Sequence, residues 1–191
     1  MSGIATDAKK ANTALKVSIV QDIVPAVELR WIMPDAVIFD IDGCLADVEE
    51  FLHHLVHRPD SPRDWEGFHR AVGKAKVKRD VFAMLKLYTI RNITIILLTS
   101  RNEEWRGETV GWLKNNHISY DVLMMRSKGD HRSAPEFKED RFKKIMQEFN
   151  IVQVFDDHPG VCGVAEELGI PVTKVPGYEE ASLMMEELVK A

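Results

Sequence analysis

This sequence has few cysteines, no excess of positive charge and no long apolar run. The 191 residues include two cysteines, Cys44 and Cys162, which are far apart and have no partner pattern beside them. We therefore expect two free thiols in a reducing, cytoplasmic setting. The net charge of −5 excludes the basic footprint of a duplex-DNA-binding domain, although it leaves room for a local basic patch. No apolar run approaches the roughly 20 residues that cross a bilayer, and residues 1–12 lack the apolar segment of a secretory signal.

The chain divides into two regions of different pattern. Residues 1–33 are predicted to be an N-terminal extension, partly disordered, with one or two short strands within 15–31. Residues 34–191 are predicted to form one domain, since the length suits a single hydrophobic core. Within it, the stretch at about 47–80 shows helical fragments and no strand pattern, so we predict a small, mostly helical insert there.

From residue 36 onward, apolar strands alternate with amphipathic helices. The predicted strands are 36–41, 93–99, 120–125, 151–156 and 171–175. The predicted helices are 80–90, 102–116, 136–149, 159–168 and 179–189. We assign the apolar side of the first helix to Val81, Met84, Leu85 and Leu87. This order is typical of an α/β, Rossmann-like fold of three layers, in which a parallel sheet lies between helices.

Polar side chains collect where the predicted strands end. They are Asp40 and Asp42 at the end of the first strand, Thr99, Ser100 and Arg101 at the end of the second, Lys138 in the helix before the fourth, and Asp156 and Asp157 at the end of the fourth. Each has an ordinary structural explanation as a turn, a helix cap or a solvated face. Carboxyl ends of parallel strands, however, meet at one crevice, so we expect these groups to converge. A set of oxygen ligands suits Mg²⁺ rather than Zn²⁺, and a carboxylate can act as a nucleophile.

In this order, the residues resemble the four signatures of the haloacid-dehalogenase (HAD) superfamily of phosphohydrolases. The matching residues are Asp40-Ile-Asp-Gly43, Thr99, Lys138 and the Asp156-Asp157 pair. The resemblance covers about residues 34–176. It implies a HAD core with a small helical cap insert.

Within that superfamily, the chain is most similar to the 3′-phosphatase domains of bacteriophage polynucleotide kinases and related phage phosphatases. Three passages carry this similarity: Thr99-Ser100-Arg101, the loop from Met125 to Arg132, and the stretch from Lys138 to Val175. No Gly-x-x-x-x-Gly-Lys-Ser/Thr loop occurs, so the kinase half is absent. The chain also departs from the pattern, since Cys44 stands in place of Thr and Ala134 in place of Asp.

The resemblance implies a Mg²⁺-dependent reaction through an aspartyl-phosphate. We expect Mg²⁺ to be held by Asp40, the backbone carbonyl of Asp42, and the pair of Asp156 and Asp157. Asp40 would attack phosphorus, while Asp42 would protonate the leaving alkoxide and later activate water. The cation would offset the repulsion between the nucleophile and the phosphate dianion.

The remaining groups are predicted to hold the substrate. Thr99 and Lys138 would bind phosphoryl oxygens, and Ser100, Arg101 and Arg132 would contact the substrate. We expect that substrate to be a phosphorylated nucleotide or a nucleic-acid end, above all a 3′ end. One alternative is a nucleotidase or small-molecule phosphatase. A second, of another class, is a catalytically silent HAD-fold binding module, which the loss of the usual Asp at Ala134 and the N-terminal extension keep open. A homo-oligomer is compatible with either reading, whereas no membrane partner is expected.

The tryptophans near these motifs are predicted to be packing residues rather than base-stacking platforms, as for Trp105 and Trp112, and His158 is predicted to cap the turn that follows it. Trp65 is the exception, because it lies in the insert that would overhang the site and could stack a base.

Overall fold

A parallel sheet forms the centre of the molecule in the computed structural model, which describes residues 33–55 and 63–177. The strands in this part of the chain are β1 (Asp35–Phe39), β2 (Ala46–Asp47), β3 (Lys76–Val77), β4 (Thr94–Asn102), β5 (Val122–Arg126), β6 (Asn150–Asp156) and β7 (Val172–Lys174). Five of these strands pair in the order β5-β4-β1-β6-β7, and every pairing is parallel. Strand β1 is therefore central, and the residues that follow it enter the middle of the crevice at the carboxyl edge.

Helices cover both faces of this sheet. Those in the described residues are α1 (Trp65–Ala71), α2 (Arg79–Ile90), α3 (Arg106–Asn115), α4 (Ala134–Ile145) and α5 (Pro159–Glu167), with 3₁₀ turns at Glu49–Leu55, Val72–Lys74 and Glu103–Trp105. One apolar cluster joins Val37 and Phe39 of β1 to α2, α3 and the insert. A second joins Ala36 and Ile38 to α4 and α5. Because successive side chains of a strand point to opposite faces, both faces of β1 are buried, and the three-layer, Rossmann-like prediction is confirmed.

The segment between β1 and α2 combines 3₁₀ turns, the short helix α1 and a ribbon of two strands. Strands β2 and β3 pair antiparallel, with Ala46 opposite Val77. The sequence analysis was wrong to find no strand here, because strands of two residues are too short to show an alternating pattern. The indole Nε1 of Trp112 on α3 donates to the Ala75 carbonyl at 2.8 Å, which fastens this segment to the core. Trp112 is buried, as predicted.

Some predicted boundaries and faces differ from those observed. Strand β4 continues three residues beyond 99, so that Ser100 and Arg101 lie inside the strand. Helix α4 begins at Ala134 because Ser133 and Glu136 form a capping box, and it ends at Ile145. The helix predicted from 102 begins as a 3₁₀ turn, in which the Asn102 side chain accepts from the Glu104 N–H.

Helix α2 shows a narrower apolar face than predicted. Val81 and Leu85 are buried one turn apart, whereas Met84 is 37% and Leu87 49% exposed. Those two side chains lie off the line that faces the sheet, so assigning them to the core was wrong.

Several predictions fall outside the described residues. These are the extension at 1–33 apart from its last residue, its strands within 15–31, and the helix at 179–189. The division into an extension and a core from residue 34 therefore stays a prediction.

Candidate active site

Three carboxylates and one ammonium group meet where two neighbouring strands end. Asp40 follows β1, and Asp156 and Asp157 lie at the end of β6, which pairs with β1. Each of the three offers an oxygen within 4.8 Å of the others. The Lys138 Nζ of α4 lies 2.7 Å from Asp40 Oδ1 and 2.7 Å from Asp156 Oδ2. The sequence analysis expected these four residues to converge, and the structure brings them together.

The strand residues directly before the acids hold them in register. Phe39 pairs with Phe155, and their rings stack with centroids 4.6 Å apart. The Asp40 N–H donates to the Phe155 carbonyl at 3.0 Å, continuing the ladder past the end of β1. Because this contact is made by backbone and buried rings, the position of the Asp40 carboxylate is set by the sheet itself.

Burial and crowding make the negative charge of this cluster costly. Burial raises the pKa of Asp40 well above its usual value, and Asp156 and Asp157 add to the rise against the opposing effect of Lys138. Burial and then Asp156 raise the pKa of Asp157 to about 7. Burial alone would lower the pKa of Lys138, but Asp156 and Asp40 outweigh it and raise that pKa, so the lysine is a permanent cation. Lys138 thus contacts two of the three carboxylates, and the positive charge of Lys78 also acts on Asp157.

This cluster fits a divalent cation by its chemistry. Its donors are all carboxylate oxygens, the ligands that Mg²⁺ prefers. Asp156 is already engaged, since Oδ2 accepts from Lys138 and Oδ1 accepts from the His158 N–H at 3.0 Å. Asp157 is therefore the better placed of the pair to offer an oxygen to a cation.

The turn after β1 is shaped by Gly43. Its φ is +78°, and a Cβ there would lie 2.0 Å from Asp157 Oδ2. Gly43 therefore allows the turn to approach the carboxylate closely, which no side chain would permit. Lys78, at the start of α2, donates from Nζ to the Gly43 carbonyl at 2.6 Å and to the Pro176 carbonyl at 2.7 Å. It ties this turn to the segment after β7.

Asp42 lies in a separate electrostatic environment from Asp40. Its carboxylate accepts two hydrogen bonds from Arg101, from Nε at 2.8 Å and from Nη2 at 2.6 Å. Arg101 is 3% exposed and also donates to Thr109 of α3 at 3.2 Å. Burial alone would lower the pKa of Arg101, but the Asp42 carboxylate outweighs burial and raises it. The guanidinium therefore holds Asp42, and its predicted role as a substrate contact stays a prediction.

The other predicted substrate groups lie along the end of β4 and the loop after β5. The Thr99 hydroxyl is buried and accepts from the Arg101 N–H at 3.2 Å. The Ser100 hydroxyl oxygen is buried without a hydrogen-bond partner among the described residues. Arg126 donates to the Ser100 carbonyl at 3.2 Å and holds the loop by bonding the carbonyl of Arg132. Ser100 thus keeps an unused polar atom, and its contact with substrate remains a prediction.

Arg132 lies at the rim rather than in the cluster. Its guanidinium pairs with Asp130 at 2.6 Å and is 43% exposed. This pairing, with Arg132 as the main cause, holds the pKa of Asp130 well below its usual value. The structure does not bring Arg132 into contact with the three acids, so its role also stays a prediction.

The contacts of Lys78 had no signal in the sequence, since Lys78 precedes a helix, where a lysine is ordinarily solvated. The sequence predicted that Asp42 and Arg101 converge, but not that they pair with each other. His158 is confirmed as a cap, since its Nδ1 accepts from the Gly160 N–H at 3.0 Å.

Comparison with known proteins places this site in a family of phosphatases. The family model "Polynucleotide kinase PNKP phosphatase domain" of the HAD superfamily matches residues 34–178. The chain belongs to this family and is a HAD-type phosphoric monoester hydrolase. The four signatures identified in the sequence fall within the matched residues.

Solved structures show the same fold. A chain of the Pnkp1/Rnl/Hen1 complex superposes with a TM-score of 0.63 and 26% identity, covering 75% of this chain and 46% of that one. This chain therefore spans less than half of that relative. The class C acid phosphatase from Bacillus anthracis with tungstate bound superposes with a TM-score of 0.53 and 12% identity. The match covers 98% of this chain and 90% of that one. CbbY from Rhodobacter sphaeroides, in complex with xylulose-(1,5)bisphosphate, superposes with a TM-score of 0.55 and 15% identity. The match covers 76% of this chain and 88% of that one.

Two further observations concern curated proteins and membrane spans. No curated protein matches the chain significantly. Among the described residues, none of the helices combines the length and hydropathy that a bilayer crossing requires.

Proposed function

We propose that this protein is a Mg²⁺-dependent phosphatase that removes the phosphate from a nucleic-acid 3′ end through an aspartyl-phosphate. The observation that carries the proposal is the placement of Asp40 between Lys138 and the Asp156-Asp157 pair, in a chain of the PNKP phosphatase-domain family. The substrate class is supported by the relative Pnkp1, whose structure is described as part of an RNA repair complex.

Asp40 is suited to the role of nucleophile. Its carboxylate attacks phosphorus, an Asp40–phosphorus bond forms, and the bond from phosphorus to the leaving oxygen breaks. The attack needs an ionised carboxylate, yet burial raises the pKa of Asp40. Lys138 favours the ionised form, and Mg²⁺ held by Asp40, the Asp42 carbonyl and Asp157 would supply the remaining positive charge.

Asp42 is suited to proton transfer. It gives a proton to the leaving alkoxide in the first half of the reaction. In the second half it takes a proton from water, which attacks phosphorus and breaks the bond to Asp40. Phosphate leaves, and both aspartates return to their starting forms. Arg101 holds Asp42 by two hydrogen bonds and thereby orients it, while Thr99 and Lys138 bind phosphoryl oxygens.

Two other functions remain as outcomes of the test. A nucleotidase would use the same groups on a free nucleotide. A silent binding module would not need the buried charges, since keeping a lysine and three acids out of water costs stability unless they serve a purpose.

The test is phosphate release in the presence of Mg²⁺. The substrates are 3′-phosphorylated and 5′-phosphorylated DNA and RNA oligonucleotides and free 3′- and 5′-mononucleotides. Wild type is compared with Asp40→Asn and with the control Asp35→Asn, which makes the same change at the opposite end of β1. We expect release from the 3′-phosphorylated oligonucleotides by wild type and Asp35→Asn, and none by Asp40→Asn.

The other outcomes contradict the proposal in distinguishable ways. Release from mononucleotides alone would establish the nucleotidase. Release by Asp40→Asn at the wild-type rate would remove the aspartyl-phosphate. No release from any substrate by wild type would favour the binding module.

A further inference from the structure

A row of three aromatic rings lies across the insert and the end of β4. The Trp65 ring lies 6.1 Å from that of His69, at 28° between planes, and His69 lies 5.2 Å from Trp105, at 31°. The rings come from different elements, since Trp65 and His69 lie on α1 and Trp105 ends the 3₁₀ turn after β4. The row therefore joins the insert to the carboxyl edge of the sheet, where the site lies.

This row adjoins the Asp42 side of the site. Trp105 follows Arg101 by four residues and immediately precedes α3, whose Thr109 accepts from Arg101. Burial lowers the pKa of His69, and the charges of Asp42, Arg101 and Glu108 also act on it. His69 is thus within electrostatic range of the proposed proton donor, and its ring is neutral at pH 7.

The row has features that packing alone does not explain. Phe68, the neighbour of His69 on α1, is 4% exposed and supplies the packing of this helix, whereas Trp65 is 50% exposed. The His69 Nδ1 atom is buried and has no hydrogen-bond partner in the described part of the chain. An exposed indole and an unmatched ring nitrogen at the mouth of a site leave both stacking and hydrogen-bonding capacity unused.

We propose that Trp65, His69 and Trp105 form a subsite that stacks the nucleobase of the nucleotide carrying the scissile phosphate. This inference rests on the proposed function, in which Asp42 protonates the leaving oxygen. The leaving group must then extend from phosphorus on the Asp42 side, where the row lies. Every nucleobase has a π face, so the subsite accepts a base without selecting its sequence.

The test compares substrates with and without a terminal base. One 3′-phosphorylated oligonucleotide ends in a thymidine, and the other is identical except that its last sugar carries no base. We expect wild type to favour the first by roughly tenfold in kcat/KM, mostly through KM, as for one base stacked on an aromatic side chain. Trp65→Ala reduces this ratio to about one, and Trp65→Phe retains most of it.

The control variant is Ile90→Ala, which removes an 81% exposed side chain from the end of α2 and keeps the ratio. Thermal unfolding of each variant shows whether it is folded. Thymidine 3′-phosphate and deoxyribose 3-phosphate repeat the comparison without a polymer, so they distinguish a free nucleotide from a strand end as the source of the base.

A wild-type enzyme that releases phosphate equally from both substrates overturns the inference and leaves the proposed function standing. If Trp65→Ala keeps the wild-type ratio of kcat/KM between the two substrates, the inference is also overturned, because the row of rings then serves only to pack the insert. No release from either substrate removes the proposed function and this subsite together.

Discussion

Replacing Lys138 by Met tests whether the buried cluster is held together by charge. Lys138 contacts Asp40 and Asp156 at 2.7 Å each and is 3% exposed. The substitution keeps a long apolar side chain but leaves three carboxylates without their cation. Breaking a buried ion pair by removing one partner costs about 3–5 kcal/mol. For a chain of this size that lowers the unfolding midpoint by roughly 10 °C, at pH 8 without Mg²⁺.

The drop in unfolding midpoint caused by Lys138→Met should be smaller at low pH than at high pH. Burial raises the pKa of Asp40 well above its usual value, so over a range of pH the folded protein holds a proton there that the unfolded chain has lost. Stability from this group is therefore present at low pH and falls as pH rises through the raised pKa. Without Lys138 that pKa rises further. At pH 5 the carboxyl takes up a proton, and we expect the loss in unfolding midpoint to shrink.

Added Mg²⁺ should shrink the loss as well, because it replaces the missing positive charge. The assay is thermal unfolding at pH 5 and pH 8, each with and without Mg²⁺. Lys144→Met is the matched control, since its Nζ pairs with Asp140 at 2.9 Å on an exposed helix face. Exposed pairs of this kind contribute about 0.3–0.5 kcal/mol. An equal loss for Lys138→Met under all four conditions would show that lost packing, and not charge, is responsible.

Three further predictions concern the neighbouring groups. Gly43→Ala should displace Asp157 and weaken Mg²⁺ binding about 100-fold, as the loss of groups that support a metal ligand does, and calorimetry measures the affinity. The control is Gly129→Ala, where φ is +80° but no atom lies within 4 Å of the added Cβ, so the backbone is strained and Mg²⁺ binding should not change. Arg101→Lys should lower kcat about tenfold or more with little change in KM, because the two-pronged hold on Asp42 is lost; a rise in KM alone would instead support direct contact with substrate. The apparent Mg²⁺ affinity should rise with pH to about 7 and then level off, because the cation displaces a proton from Asp157; a flat profile would contradict this.

The strands whose buried residues form an apolar run were predictable from the sequence. The buried run ending at Phe39 and the strand ending at Asp156 predict two parallel strands whose carboxyl ends face one crevice, and this is why Asp40 and Asp156 were expected together. That the two strands are neighbours is a finding of the structure. The end of β4 was misjudged because Ser100 and Arg101 are polar, and the apolar pattern that marks a buried strand stops before them. Their pairing is decided by tertiary contacts.

Contacts between distant residues left no such pattern. Lys78 is one of many lysines in the sequence, and only the fold brings its Nζ to the carbonyls of Gly43 and Pro176. Trp65 and Trp105 lie 40 residues apart, and their relation through His69 depends on how the insert packs on α3. Long-range pairing of this kind requires the geometry of the folded chain.

The two aspartates of the first motif differ in their surroundings although one residue separates them. Strand β1 ends at Phe39, and the backbone enters a turn from Ile41 onward. Asp40 stays with the sheet, where it shares Lys138 with Asp156, while Asp42 reaches Arg101 and remains 24% exposed. A nucleophile needs a fixed position among cations, and a proton carrier needs access to the leaving group and to water. The geometry of this turn therefore supports the proposed role of each carboxylate.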